Sequence, residues 1–274
     1  VFPYKGSVLA VHIVRLVSLA WGLLTILGVY LVAREIVPDR PLLQLTAVAL
    51  AAFNPHFIYI SSVVNNDAAA ACLCTLTLWL AVRLVNPSQK DAQTDDTVLA
   101  HVILGAALLS KVSALPLLGL VGGALALLWL RDRRWGALFL RAGVVFGEAA
   151  LVAAWWYGRN WLLYGDPLAW DVWLIDIGVH RIEVSELLNQ FGTVARTFWS
   201  PYVDLFPALV FWLLGGLLAL AAVGWVRMAK RIATGTPRWE RGGPPRTLTS
   251  VNLEGLLVAG TWLVILFASL AGGV

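Results

Sequence analysis

Residues 97–130 read TVLAHVILGAALLSKVSALPLLGLVGGALALLWL, and whether this stretch is one helix or two decides the fold. A single charge interrupts the run, within Ser110-Lys111-Val112-Ser113, and Arg131-Asp132-Arg133-Arg134 follows it directly. Lys and Arg are retained on the cytoplasmic side of membrane helices. One continuous crossing would leave the Arg131 cluster opposite the other basic connections of the chain. Two crossings that meet in an outer-face turn at 110–113 bring it back. The first half, 97–110, is short against the roughly 20 residues that cross a bilayer core, so a partly re-entrant path is also open to it.

Working outward from that turn, apolar segments fall near 8–32, 41–63, 68–85, 97–110, 112–130, 136–157, 206–226 and 251–271. A mean hydropathy of +0.79 with 13% charged residues excludes a water-soluble globule, because so few charges cannot cover a water-facing surface. Helices satisfy their own backbone groups in lipid, and no stretch alternates with the period of a barrel strand. The expected fold class is therefore all-α, a polytopic transmembrane helical bundle of about eight membrane segments with one sizeable outer-face loop. Parity gathers Arg34, Arg40, Arg83, Lys90, the Arg131 cluster, Arg141 and the basic loop 227–249 on the cytoplasmic side. That loop, rich in Gly and Pro, reads as a topology determinant and a contact for membrane lipids. It lacks the aromatic interleaving of a strand-binding groove, so no nucleic acid partner is expected. The whole of 1–274 reads as one transmembrane domain, and the polar start at Val1 and apolar end at Val274 lead to the expectation of a fragment incomplete at both ends.

The outer segment 158–205 is too long for a simple connection, and its aromatic content argues for order. Trp155, Trp156, Tyr157 and Trp161 at its start fit an interfacial aromatic belt. Four groups of polar residues mark the outer face. His12 and Arg15 stand near the outer start of the first helix, where Arg15 either snorkels or meets an anion. Asn65-Asn66-Asp67 precedes an Ala-rich helix. It reads as an N-cap or, since three polar residues exceed what one cap needs, as a partner for sugar or acceptor hydroxyls. Lys111 sits in an apolar hairpin, where a lipid phosphate would compensate its charge as well as snorkelling would. Arg159 offers a rigid fork of donors suited to a phosphate, and it is followed by Tyr164-Gly165-Asp166-Pro167, whose Gly-Asp-Pro is turn chemistry in its own right. Glu148 and Glu254 lie within helices. Cys72 and Cys74, two apart in one helix, read as packing residues, the four histidines have no metal-ligand spacing, and no cofactor is read.

The order of these motifs adds a resemblance. Arg15-Leu16-Val17-Ser18, a helix ending Ala33-Arg34-Glu35, Phe53-Asn54-Pro55-His56-Phe57 leading to Asn65-Asn66-Asp67, then Leu109-Ser110-Lys111, then Arg159-Asn160 with Tyr164-Gly165-Asp166-Pro167 together resemble the GT-C superfamily of membrane glycosyltransferases. The likeness is to bacterial relatives of protein O-mannosyltransferases and lipid A aminoarabinose transferases, over roughly 12–205. It implies transfer of a sugar, with inversion, from a polyprenyl-phosphate-linked sugar donor to a hydroxyl of a lipid, glycan or protein acceptor at the outer face of a bacterial plasma (inner) membrane. In such a site cations stabilise the phosphate leaving group and a carboxylate takes the acceptor proton. Lys111 and Arg159 would bind the carrier phosphate with Arg15 assisting, while Asn65, Asn66, Asp67 and Tyr164 complete the substrate-binding set. The family's principal carboxylate belongs to the first outer loop and is expected upstream of Val1, which leaves Asp67 and Asp166 as the catalytic candidates within this sequence. A transporter or lipid-linked-sugar flippase, or a non-catalytic assembly subunit, is the alternative; the absence of an internal repeat and the charges at helix ends favour the enzyme.

Overall fold

The computed structural model describes residues 5–85 and 93–177, with isolated positions at 185, 189, 216 and 223. Those residues form helices and no strand. They are α1 (Gly6–Ile36), α2 (Pro41–Ala52), α3 (Pro55–Ser62), α4 (Asp67–Val85), α5 (Gln93–Ser110), a single 3-10 turn at Val112–Ala114, α6 (Pro116–Asp132), α7 (Trp135–Tyr164) and α8 (Trp170–Ile177).

Local chemistry sets these boundaries. Proline opens α2, α3 and α6, where its missing N–H costs nothing and its fixed φ suits a helix. Asn54 caps α3, its side-chain oxygen accepting from Phe57 N–H at 3.0 Å. The turn between α1 and α2 is stitched by buried Gln44, whose amide donates to Val37 O at 2.9 Å and Pro38 O at 3.0 Å. Arg133 at φ 55° ends α6, and Gly165 at φ 70° ends α7 in the left-handed conformation that favours glycine.

Among the described residues, four helical stretches are long and apolar enough to cross a membrane: α1, α4, Val112–Leu130 and α7. The pair α2 and α3, bent by 59° at its break, makes a fifth if counted as one span. The polytopic all-α expectation therefore holds, with four to five candidate spans among the described residues. The segments at 206–226 and 251–271 and the basic loop 227–249 lie outside those residues, apart from isolated positions. The chain does break at 110–113, as charge parity required, and α5 is a continuous helix up to Ser110. One boundary moves. Residues 158–164 continue α7 rather than opening the outer loop, because Tyr157 and Asn160 still face protein and no helix stop occurs before Gly165.

Lipid tails are as apolar as leucine, so membrane helices associate through close approach of small residues. The buried stripe Ser18, Gly22, Thr25 and Gly28 on α1 does this. Thr25 lies beside Cys72, Gly28 abuts Thr75, and Gly22 lies against Ser61 and Phe57 of α3. Partners that ascend together along both chains make α1 and α4 parallel neighbours. The same holds for α5 and α7, where Gly105 meets Ala149 and Val152 and Leu108 meets Tyr157. Leu104, Leu108, Leu117, Leu125, Leu128, Val145 and Ala149 fill the core between α4, α5, α6 and α7. Leu23, Leu151 and Leu162 point outward, as lipid-facing side chains do. With the helices alternating in direction, 63–66, 110–115 and the end of α7 gather at one end of the bundle, while 37–40 and 133–134 mark the other.

Candidate active site

The polar residues of 65–67 and 110–111 come together at that first end. Helix α4 begins at Asp67, but one of its free N–H groups is served from two residues before: Asn65 Oδ1 accepts from Ala68 N–H at 3.4 Å. The Asn65 amide then donates to Asp67 Oδ2 at 3.3 Å. Asp67 Oδ1 receives Lys111 Nζ at 2.5 Å, an ion pair between residues 44 apart in sequence. The two side chains are 34% and 36% exposed, so the pair is shielded yet open to a ligand.

Helix dipoles suit this arrangement. Asp67 stands at the positive N-terminal end of α4 and Lys111 just past the negative C-terminal end of α5. A half-exposed ion pair contributes only about 0–1 kcal/mol, which leaves Lys111 free to exchange its partner for a stronger anion. The end of α5 is in turn held from outside. Asn66 Nδ2 donates to Ser110 O at 2.9 Å, and the Tyr157 hydroxyl donates to Leu108 O at 2.7 Å. His56 on α3, half-buried, lies within electrostatic reach of both Asp67 and Lys111, and its Nδ1 is buried without a hydrogen-bond partner.

Among the expected site residues, Asn65, Asn66, Asp67 and Lys111 thus form one cluster. Arg15 is on the same end but exposed on α1, with no ion-pair partner among the described residues. Arg159 is exposed on α7, its guanidinium 5.4 Å from the Trp156 ring centroid and a hydrogen bond away, at 3.5 Å, from Asn160 Oδ1. Its neighbours Tyr157 and Asn160, not Arg159, face the bundle. Tyr164 is 47% exposed at the last position of α7. Both oxygens of Asp166 are occupied by backbone, accepting from Leu168 N–H at 3.0 Å and Trp170 N–H at 2.6 Å, which is the turn chemistry of Gly-Asp-Pro. Cys72 and Cys74 are free thiols, and the described residues hold no group of three His, Cys, Asp or Glu that could bind a metal ion.

Sequence reading missed Tyr157 and His56 as members of this neighbourhood. Tyr157 has a generic reason to stand at a membrane interface, which hides a specific one. The signal for His56 was its place in the Asn54-Pro55 start of α3, the helix that leads to Asn65.

No curated protein and no solved structure matches the chain. A family model described as dolichyl-phosphate-mannose-protein mannosyltransferase matches residues 10–157, from the first turns of α1 to Tyr157 on α7, and so takes in the Asn65–Asp67 and Lys111 cluster whole. With more than half of its length under that match and with apolar helices carrying a polar cluster at one end, the chain belongs to the dolichyl-phosphate-mannose-protein mannosyltransferase family, membrane glycosyltransferases of the GT-C type.

Proposed function

We propose that the protein moves a sugar from a polyprenyl-phosphate carrier to an acceptor hydroxyl at the outer face of the membrane. The acceptor oxygen attacks the anomeric carbon as its bond to the phosphate oxygen breaks, the carrier leaves as polyprenyl phosphate, and the acceptor proton passes to a carboxylate base. The observation that carries this reading is the partly exposed Lys111–Asp67 pair at the end of the bundle where 63–66 and 110–115 meet. A leaving phosphate gathers negative charge, and a cation already placed beside it stabilises that charge without reorganisation. When the phosphate takes Lys111, the Asp67 carboxylate is released to orient a hydroxyl of the sugar or acceptor. Arg15 and Arg159, exposed on helices that end on this side, are the cations through which the carrier phosphate approaches along the headgroup layer.

The test is sugar transfer in membranes supplied with polyprenyl-phosphate sugars, with variants compared at equal amounts of folded protein. Lys111→Ala is expected to lose about 100-fold in rate, the scale of removing one electrostatic stabiliser, and Lys111→Arg to lose far less. Wild-type transfer by the Ala variant would reduce Lys111 to a snorkelling residue.

A further inference from the structure

The last four carbonyls of a helix have no partner within it. At the end of α5 they are those of Ala107, Leu108, Leu109 and Ser110, and two of them are claimed by groups from distant parts of the chain. Tyr157 on α7 donates to Leu108 O at 2.7 Å across 49 residues, and Asn66 in the α3–α4 connection donates to Ser110 O at 2.9 Å across 44. Ala107 O is met locally, by Ser110 Oγ at 2.7 Å and by the Lys111 N–H at 3.4 Å, so the straps act on the two carbonyls that this turn leaves to other parts of the chain. The next residue is Lys111, in extended backbone at φ −160°. A lysine side chain has many rotamers, so where its ammonium rests depends on where its backbone is held.

We propose that Tyr157 and Asn66 are positioning residues that fix Lys111 by strapping the last turn of α5 from two sides; this rests on the reading of Lys111 as the phosphate-binding cation. The two straps differ in kind. The Tyr157 ring packs against the hydrophobic core, so its hydroxyl is presented at a set height on α7, whereas Asn66 is exposed and reaches across from the mouth of the site. Between them the turn carrying Lys111 is referred both to α7 and to the connection that bears Asp67. The lysine head is tied to the same connection through Asp67 itself. Backbone and head therefore share one frame.

The experiment measures the affinity of the purified full chain in detergent for polyprenyl phosphate, and for the uncharged polyprenol of the same length as control. Tyr157→Phe and Asn66→Ala each remove one strap and little else, and the exposed site of Asn66→Ala keeps the test available if the α7 variant folds poorly. Each is expected to weaken polyprenyl phosphate binding about fivefold, on the scale of one hydrogen bond, while polyprenol binding stays as in wild type and the melting temperature falls only slightly, as the loss of one intramolecular hydrogen bond requires. Equal weakening of both lipids, or no weakening of either, would overturn the positioning role. Lys111→Ala is measured beside them. If it binds polyprenyl phosphate as tightly as wild type, the Lys111 reading itself fails; if it alone is impaired, only the strap inference does.

Discussion

At Asp67 a carboxylate stands at the start of a helix without doing the capping, which Asn65 does instead. The substitution Asp67→Asn therefore separates structure from chemistry. It removes one half-exposed ion pair and a favourable dipole contact, so stability should fall by no more than about 1 kcal/mol, read as a small drop in melting temperature. Sugar transfer should fall much further, because a neutral amide neither pairs with Lys111 nor accepts a hydroxyl as strongly. Unchanged transfer would leave Asp67 a structural residue. Asn65-Asn66-Asp67 and Lys111 were legible as candidates because polar groups stranded in lipid-facing sequence are conspicuous. Their pairing was not, since spacing along the chain does not say which helix ends become neighbours. Asp166 was legible for the opposite reason: its turn chemistry is local, and both its oxygens are spent on backbone within four residues.

The contact between α5 and α7 depends on the absence of a side chain at Gly105. A Cβ there would lie 2.6 Å from Val152 Cβ and 3.0 Å from the Ala149 carbonyl oxygen, too close for either helix to stay in place. Gly105→Ala is expected to destabilise the protein by about 1–3 kcal/mol and to disturb the Tyr157–Leu108 contact one turn away. Gly119→Ala, with open space around it within α6, should be neutral or slightly stabilising, since alanine is the better helix former. Thermal unfolding in detergent compares them, and a Gly105→Ala variant as stable as wild type would contradict the close packing. Among elements, the division of 97–130 was readable from charge alone, because parity distinguishes one crossing from two. The 59° bend within 41–63 was harder, since Asn54-Pro55 lies in an otherwise continuous apolar run. The true end of α7 was hidden as well. Arg159 and Asn160 look like an exit from the membrane, yet an interface admits a helix that faces protein on one side and water on the other.

For the molecule as a whole, the outer-face assignment of 63–66 and 110–115 makes a prediction about access. In a Cys72→Ala, Cys74→Ala background, Ser113→Cys should react with an impermeant thiol reagent added outside, and Asp39→Cys only after the membrane is opened. The reverse pattern would invert the topology. The bundle also joins parallel helices that are not consecutive, α1 with α4 and α5 with α7, and this bears on how the protein is made. At about 5–20 residues per second, synthesis of the residues between Ile36 and Val85 takes roughly 2–10 s, during which the Thr25 and Gly28 part of the α1 stripe has not yet met α4. A polar hydroxyl left bare in hydrocarbon for seconds would invite misplacement or degradation. Thr25 avoids this by donating to the Trp21 carbonyl of its own helix at 2.9 Å, a bond available as soon as α1 forms, so the newborn helix waits for its partner with that hydroxyl already satisfied.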